Sequence, residues 1–426
     1  MRLSVWTRSR VALTALLLSW MVVMVVAAPA HSHPKAADPA EITNWNAIAV
    51  RTIVTEGMRP PAETQLYLGF VSAAVYDAVV AIEPAYAPYG APLRAHRHAS
   101  IDAAVAAAAY GVLSTYFPAS APALTVDYQA SLAKIPDGRA EAKGIAVGEA
   151  AAALIEQLRT GDGRNAPIVY TRQPAPGVWR PTSAAQFLIP WLGFVRPLLL
   201  SSPTQIPLSG PDALTSAAYA RDFNEVKAFG SATSTARTPE QTQTALFWNG
   251  NLPVQFQAAF RDRIARRGLD AVQAARMFAV LNMSAADALI ATWRDKFDFA
   301  FWRPVTAIQL ADTDGNPATV ADPTWTPLVS PPPYPEYPSG HASIVGATAK
   351  GLSRLFGRHD IDLFVSSAVP GAGPTRHYTS ARTLNEDTIN ARVWLGIHFR
   401  KADVDANRRA RAVTRFALAN YFQPTH

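Results

Sequence analysis

Apolar residues recur at intervals of three and four positions along most of this chain, which is the spacing of amphipathic α-helices. The stretch 66–80, LYLGFVSAAVYDAVV, shows the pattern clearly. We find neither a run of alternating strand segments nor a repeat of fixed period. The pattern therefore predicts an all-α fold whose helices pack into bundles. Further helices are predicted over 102–116, 140–159, 216–229, 239–247, 269–302, 339–356 and 403–421.

Two long stretches interrupt the helical pattern. Residues 160–211 are rich in Pro, Gly and Ser, and residues 310–337 contain seven prolines. Loops of this length inside a compact domain are usually functional or disordered. The density of aromatic and proline residues favours ordered, stiff walls, so we predict long Pro-rich loops between the bundles.

The first thirty residues have the features of a secretory signal peptide. Arg2, Arg8 and Arg10 form a charged region, residues 11–27 are apolar, and Ala28-Pro29-Ala30 is a small-residue cleavage site. An uncleaved N-terminal anchor is the alternative. We expect cleavage after Ala30, a secreted or otherwise extracytoplasmic protein, and one α-helical catalytic domain over 31–426. No later segment is expected to be apolar for long enough to span a membrane.

Composition narrows the possible chemistry. The chain has no Cys, which excludes disulfides, thiolate catalysis, haem-thiolate ligation and iron–sulfur clusters. Removal of residues 1–30 leaves 36 basic and 32 acidic side chains, a net charge of +4, which attracts small anions. The basic run 261–267 lacks interleaved aromatics and is typical of a solvated helix face, so no nucleic-acid partner is expected.

Three short segments near the C-terminus combine cationic side chains with histidines. They contribute Lys296 and Arg303, then Ser339-Gly340-His341, then Arg392 and His398. Lys and Arg supply permanent positive charge and several hydrogen-bond donors. Ser339 can cap a helix whose N-terminus adds backbone N–H groups, and Gly340 allows close approach. Since no carboxylate lies at these positions, the set predicts a site for a tetrahedral oxyanion rather than a metal cation.

Local rules place some of these side chains. Lys296 and Arg303 are seven residues apart, which predicts one face of a helix that ends at Arg303 because Pro304 follows. Gly396 can end the helix that carries Arg392 and let His398 turn inward. Thr238, which precedes Pro239, is predicted to cap the helix over 239–247 at its N-terminus, and Asp403 is predicted to cap the final helix in the same way.

These segments resemble the vanadium-dependent haloperoxidase and PAP2-type acid phosphatase superfamily. Its pattern is Lys-x6-Arg-Pro, Pro-Ser-Gly-His and Ser-Arg-x5-His-x3-Asp. The first two blocks match, but the third departs at its edges: Ala391 replaces the Ser, and Ala402 stands where the Asp is expected, with Asp403 one position later. The core motifs lie within 293–403, and the family implies two packed four-helix bundles.

The resemblance also implies roles for individual residues. His398 would be the covalent ligand of vanadate, the implied cofactor, or the nucleophile of a phosphatase. His341 would be the acid–base group, and Lys296 would activate hydrogen peroxide. The orienting acceptor for the second nitrogen of His398 is not identified in the sequence. The vanadate oxygens would be held by Lys296, Arg303, Ser339, Gly340 and Arg392.

Two aromatic residues and the flanking sequence favour halide oxidation. Trp293 and Tyr334 match positions that line the halide pocket in haloperoxidases of the family. The sequences YPEYPSGH and LGIHFR resemble the soluble bacterial haloperoxidase-like branch. The expected partners are hydrogen peroxide, a halide and a small organic acceptor. A secreted PAP2-type acid phosphatase and a non-enzymatic oxyanion-binding protein remain as alternatives.

Overall fold

Helices account for nearly all the regular structure, as the apolar periodicity predicts. The computed structural model describes residues 37–357 and 359–425, so the predicted signal peptide lies outside the described residues. From Ala37 the chain forms one compact unit. The helices of its first half are α1 (Ala40–Val50), which continues as a π-helix over Arg51–Glu56, α2 (Pro61–Ile82), α3 (Ile101–Tyr116), α4 (Ala121–Leu132), α5 (Arg139–Leu158) and α6 (Ala217–Phe229).

The second half contains the remaining helices and a small sheet. The helices are α7 (Pro239–Phe247), α8 (Leu252–Arg267), α9 (Ala271–Phe299), α10 (Pro304–Gln309), α11 (Gly340–Leu355), α12 (Ala381–Trp394) and α13 (Arg400–Asn420). Strands β1 (Leu363–Val365) and β2 (Arg376–Tyr378) pair antiparallel, with Leu363 opposite Tyr378. The all-α prediction is therefore confirmed, and this hairpin is a minor addition.

Helix α9 is the shared element of two packed bundles. It packs against α2 of a first bundle, which also contains α3 and α5, and against α11 and α13 of a second, which α12 completes. Helices α2 and α9 are long and apolar enough to cross a membrane, contrary to the sequence prediction. However, 94% of the apolar window of each is buried inside the fold, so both are core helices.

Short polar signals set several helix starts as predicted. Thr238 and Gln241 form a reciprocal capping box at the start of α7, with Pro239 at the first helical position. The prediction for the last helix is wrong. Helix α13 begins at Arg400 after Phe399, and Asp403 lies inside its first turn. Asp403 is fully buried, so its carboxylate points into the protein instead of capping the helix.

The basic run at the end of α8 is only in part the solvated face that the sequence predicts, since Arg266 and Arg267 are exposed but Arg263 is not. Arg263 is only 1% exposed and donates to the backbone carbonyl of Asp362. Arg266 and Arg267 bind the Asp362 carboxylate at 2.7 and 2.8 Å. The run therefore joins α8 to the small sheet, because the Asp362 carboxylate binds more than one guanidinium group.

Candidate active site

The C-terminal end of α9 delivers the first cation of the site. Lys296 is fully buried, and its Nζ donates to the carbonyls of Pro335 at 2.7 Å and Glu336 at 3.0 Å. The same ammonium lies 4.9 Å from the centroid of the Tyr334 ring. Burial lowers the pKa of Lys296 well below its usual value, and the neighbouring Arg303 lowers it further.

Arg303 reaches the site from outside that helix. Helix α9 ends at Phe299 because Ala300 adopts a left-handed conformation, and Arg303 lies in extended backbone before α10. The prediction that Lys296 and Arg303 share one helical face is therefore wrong. Pro304 still explains the extended backbone of Arg303, since the ring disfavours helix in the preceding residue. The two side chains meet because the chain turns back between the helices.

The long loop 310–339 forms one wall of the site. Its backbone carbonyls accept hydrogen bonds from the buried cations, including Tyr334 O from Arg303 Nε at 2.9 Å. The Tyr334 ring lies 5.0 Å from the Trp293 ring and 5.0 Å from the Arg303 guanidinium carbon. Prolines that flank these residues restrict the backbone, which favours the stiff, ordered wall that the sequence predicts.

The start of α11 brings in the Ser-Gly-His segment. Ser339 is the N-cap, and its hydroxyl accepts the Ala342 N–H at 3.4 Å. A Cβ at Gly340 would lie 3.1 Å from Cζ3 of Trp293, which explains why glycine suits this position. His341 Nε2 is buried without a hydrogen-bond partner among the described residues. Burial, followed by the charge of Arg392, lowers the pKa of His341 well below its usual value, so the ring is neutral.

The last two residues come from the junction between α12 and α13. Arg392 is buried and donates to Trp248 O at 3.1 Å, and its Nε has no partner within the described chain. Burial lowers the pKa of Arg392 to about 10. Gly396 has φ 79°, a conformation that favours glycine, and the turn it makes directs His398 inward as predicted. His398 is 2% exposed, and its Nε2 lies 3.4 Å from Nη1 of Arg303.

Two carboxylates from outside the motif positions lie in this site, and one of them is the acceptor for His398 that the sequence left unidentified. Oε1 of Glu336 lies 2.8 Å from Nδ1 of His398 and accepts the Phe399 N–H at 3.0 Å. Burial raises the pKa of Glu336 to about 8, although Arg303 and Lys296 oppose the shift. A sequence signal existed, because Glu336 is a lone acidic residue in an apolar, Pro-rich segment directly before Ser339.

Asp403 is the second carboxylate of the site. The sequence analysis had interpreted it as a helix cap. Burial raises its pKa to about 7, and the Ser339 hydroxyl and the charge of Arg392 oppose that shift. Neither carboxylate oxygen of Asp403 forms a hydrogen bond with a described residue. The Ser339 hydroxyl is still close enough to lower its pKa. Asp403 therefore balances part of the positive charge behind the helix start.

A cavity of about 260 Å³ opens onto this cluster. Its wall includes Trp293, Tyr334, Gly340, His341 and Arg392, whereas the other predicted residues are buried beside it. Most of the remaining lining is apolar, and the residues that form it are Leu188, Ile189, Leu252, Leu289, Ile344, Pro60, Pro61, Ala62 and Pro332, together with Asn249, Gly250 and Asn251.

The donor set fits a tetrahedral oxyanion. The site brings together three buried cations, a helix N-terminus and a neutral histidine nitrogen. It contains more cationic side chains than carboxylates. Arg392 Nε and His341 Nε2 are both buried without partners among the described residues, so a guanidinium donor and a histidine nitrogen are free to meet a ligand. Vanadate and phosphate both meet these requirements. The residues that the sequence predicted to hold its oxygens, Lys296, Arg303, Ser339, Gly340 and Arg392, lie together in this cluster with His398.

Comparisons with known proteins agree with this arrangement. The model of the VCPO second helical-bundle domain matches residues 276–425. The vanadium chloroperoxidase of Curvularia inaequalis is 28% identical over 228 residues, covering 39% of this chain and 37% of that protein. The chain thus spans little more than a third of the length of this curated relative.

Solved structures share the fold over nearly the whole chain. The first bacterial vanadium-dependent iodoperoxidase superposes with a TM-score of 0.76 at 20% identity, covering 92% of this chain and 99% of that one. A holo-type bacterial vanadium-dependent chloroperoxidase superposes with a TM-score of 0.69 at 16% identity, covering 91% and 98%. The family match over residues 276–425 and the curated relative together support a relationship to the vanadium haloperoxidase superfamily.

Proposed function

We propose that this protein is a vanadate-dependent haloperoxidase, which oxidises a halide with hydrogen peroxide and passes the oxidised halogen to a small organic acceptor. The observation that carries the proposal is the group of buried cations and unpartnered donors at the closed end of an apolar, aromatic-walled cavity. The curated relative, a vanadium chloroperoxidase, supports the same activity. When bound, vanadate would supply the Lewis-acidic centre at which peroxide becomes reactive toward halide.

The residues of the chain divide the remaining work. His398 is neutral because burial lowers its pKa, so it can offer a nitrogen lone pair to vanadium. Arg303, Arg392 and Lys296 neutralise the charge of the oxyanion in a site with little water, where such interactions are strong. His341 lies on the cavity wall with an unpartnered Nε2, where it can accept and return the proton of peroxide.

The aromatic pair on the cavity wall supports halide oxidation in preference to phosphate ester hydrolysis. Trp293 and Tyr334 line the cavity with their rings 5.0 Å apart, and most of the remaining wall is apolar. A weakly hydrated halide and an apolar acceptor suit such a surface, whereas a charged phosphomonoester requires further polar contacts. Trp293 and Tyr334 are therefore proposed as the halide pocket.

The deciding experiment measures bromide oxidation by metal-free protein with hydrogen peroxide, with and without orthovanadate. Saturable activity that depends on vanadate is expected, and His398→Ala should abolish it. Full activity in the His398 variant would contradict the assignment. No activity in a folded parent, together with hydrolysis of a phosphomonoester that vanadate inhibits, would instead indicate the phosphatase.

We also propose that the protein is exported with cleavage after Ala30. The charged, apolar and small-residue regions of residues 1–30 support this proposal. N-terminal sequencing of protein recovered from outside the cytoplasm should begin at His31. A chain that retains Met1 and sediments with membranes would identify the segment as an anchor.

A further inference from the structure

The acidic partner of His398 comes from an unexpected element. The superfamily pattern places an Asp four residues after this histidine, but the chain has Ala402 there. Glu336, from the loop before α11, contacts Nδ1 of His398 at 2.8 Å. Both Glu336 and Ala402 line the same small cavity of about 10 Å³, which also borders Phe399, the residue after the histidine.

The hydrogen bonds around Glu336 specify which ring nitrogen carries the proton. Oε1 of Glu336 accepts the backbone N–H of Phe399 at 3.0 Å and therefore acts as an acceptor. When the Glu336 carboxyl group is ionised, the His398 nitrogen that faces the same oxygen donates to it, which places the proton on Nδ1. In the neutral ring this leaves the lone pair on Nε2, the nitrogen that lies 3.4 Å from Arg303 Nη1.

The loop that carries Glu336 is held by the oxyanion-binding residues themselves. Lys296 Nζ donates to the Glu336 carbonyl at 3.0 Å, and Arg303 Nε donates to the Tyr334 carbonyl at 2.9 Å. Glu336 is 1% exposed, so its side chain has little freedom to leave the histidine. The cations, the loop carboxylate and the histidine ring are thus positioned by one connected set of contacts.

We propose that Glu336 is a positioning residue that replaces the missing motif aspartate and holds His398 in the tautomer whose Nε2 lone pair faces the oxyanion. The proposal rests on the proposed function for the identity of the oxyanion. The preference for the tautomer is a property of the protein without any ligand. A carboxylate that orients a metal-binding histidine typically changes affinity by about 10–100-fold when it is removed.

The first test reads the tautomer directly in metal-free protein. Nitrogen NMR of protein with labelled histidine, with the His398 signals identified by their loss in His398→Ala, should show a protonated Nδ1 and an unprotonated Nε2. Glu336→Ala should shift the ring toward the other tautomer, and Glu336→Gln should largely keep it because an amide oxygen also accepts. A parent protein with Nε2 protonated would overturn the proposal, whether or not any variant folds.

The second test measures orthovanadate affinity by calorimetry, without turnover. We expect the dissociation constant to rise about 10–100-fold in Glu336→Ala. Glu336→Ala combined with Ala402→Asp should recover part of that loss because it returns a carboxylate to the shared cavity. Asp77→Asn is a matched control. Asp77 is also a buried carboxylate, but it lies on α2 and accepts the backbone N–H groups of Tyr89 and Gly90.

The outcomes separate this proposal from the proposed function. Unchanged ring signals and unchanged vanadate affinity in a folded Glu336→Ala would overturn the role of Glu336. A double variant no better than the single one would overturn the replacement of the motif aspartate. A parent that binds no vanadate but shows the predicted tautomer would count against the haloperoxidase assignment and support the positioning role.

Discussion

Lys296 is proposed both to hold the oxyanion and to activate peroxide. Its ammonium is fully buried, held by two loop carbonyls and placed over the Tyr334 ring. We predict that Lys296→Met weakens vanadate binding only modestly, because Arg303 and Arg392 still neutralise the anion. Turnover should fall about 100–1,000-fold, since a donor aimed at developing charge is lost. Parallel measurements of vanadate affinity and of kcat check this; an equal loss in both would contradict it.

Gly340 tests the steric limit at the start of α11. Because a Cβ there would lie 3.1 Å from Cζ3 of Trp293, Gly340→Ala should push the helix start and the indole apart. We expect weaker vanadate binding with little loss of thermal stability. Trp293→Phe, which removes that edge of the ring, should restore part of the affinity in the double variant. Affinity that stays low in the double variant would instead point to a backbone effect of the substitution.

The sequence predicted which residues belong to the site better than it predicted which residues they contact. The sequence identified His341, His398 and the cations because their spacing matched a known pattern. It did not identify Glu336, whose partner His398 is 62 positions away along the chain. Such a contact depends on how the loop crosses the end of α9, and no local rule describes that crossing.

At the scale of elements, Asp287 anchors the central helix to a neighbouring loop. Its carboxylate on α9 accepts the backbone N–H groups of Leu198, Leu199 and Leu200 at 2.6 to 2.8 Å. In Asp287→Asn, an amide N–H₂ would face N–H donors in place of one oxygen. We predict a loss of stability of about 1–3 kcal/mol, the usual cost of leaving buried donors unsatisfied.

Denaturant unfolding of Asp287→Asn, with Asp298→Asn on the exposed end of the same helix as control, checks this prediction. Asp298 is 39% exposed at its side chain, and its ion pair with Arg294 should contribute less than about 1 kcal/mol. A similar loss of stability in both variants would show that the anchor has no special role. A loss confined to Asp287→Asn would show that α9 is held to the loop by this carboxylate.

Helices were predictable where their caps and periodicity agreed. Helix α7 was predicted to the residue because Thr238, Pro239 and the apolar spacing all mark its start. Helix α9 ends three residues before its predicted end, because Ala300 adopts a left-handed conformation. The sequence gives no signal for this end, since the position holds neither Gly nor Asn. Helices α1, α4 and α10 were missed, and α8 and α12 were expected only as helical segments around the basic run and Arg392.

At the scale of the whole molecule, ligand binding should stabilise the fold. The site joins α9, α11, α12 and the long loop, so an oxyanion held by all of them binds only the folded state. We predict that orthovanadate at about 100 times its dissociation constant raises the free energy of unfolding by about 2.7 kcal/mol. Thermal unfolding with and without vanadate measures this, and His398→Ala should show a much smaller rise in Tm. An equal rise in both proteins would indicate binding elsewhere.

The sequence alone determined the helical class and predicted an oxyanion site with most of its candidate residues, because periodicity and motif spacing are local properties. Tertiary structure decided which side chains meet and in what environment. It placed Arg303 in the site from outside α9, put the Glu336 carboxylate against His398, and buried two helices of membrane-spanning length in the core. Each of these depends on contacts between residues far apart in the chain, which is why local patterns could not predict them.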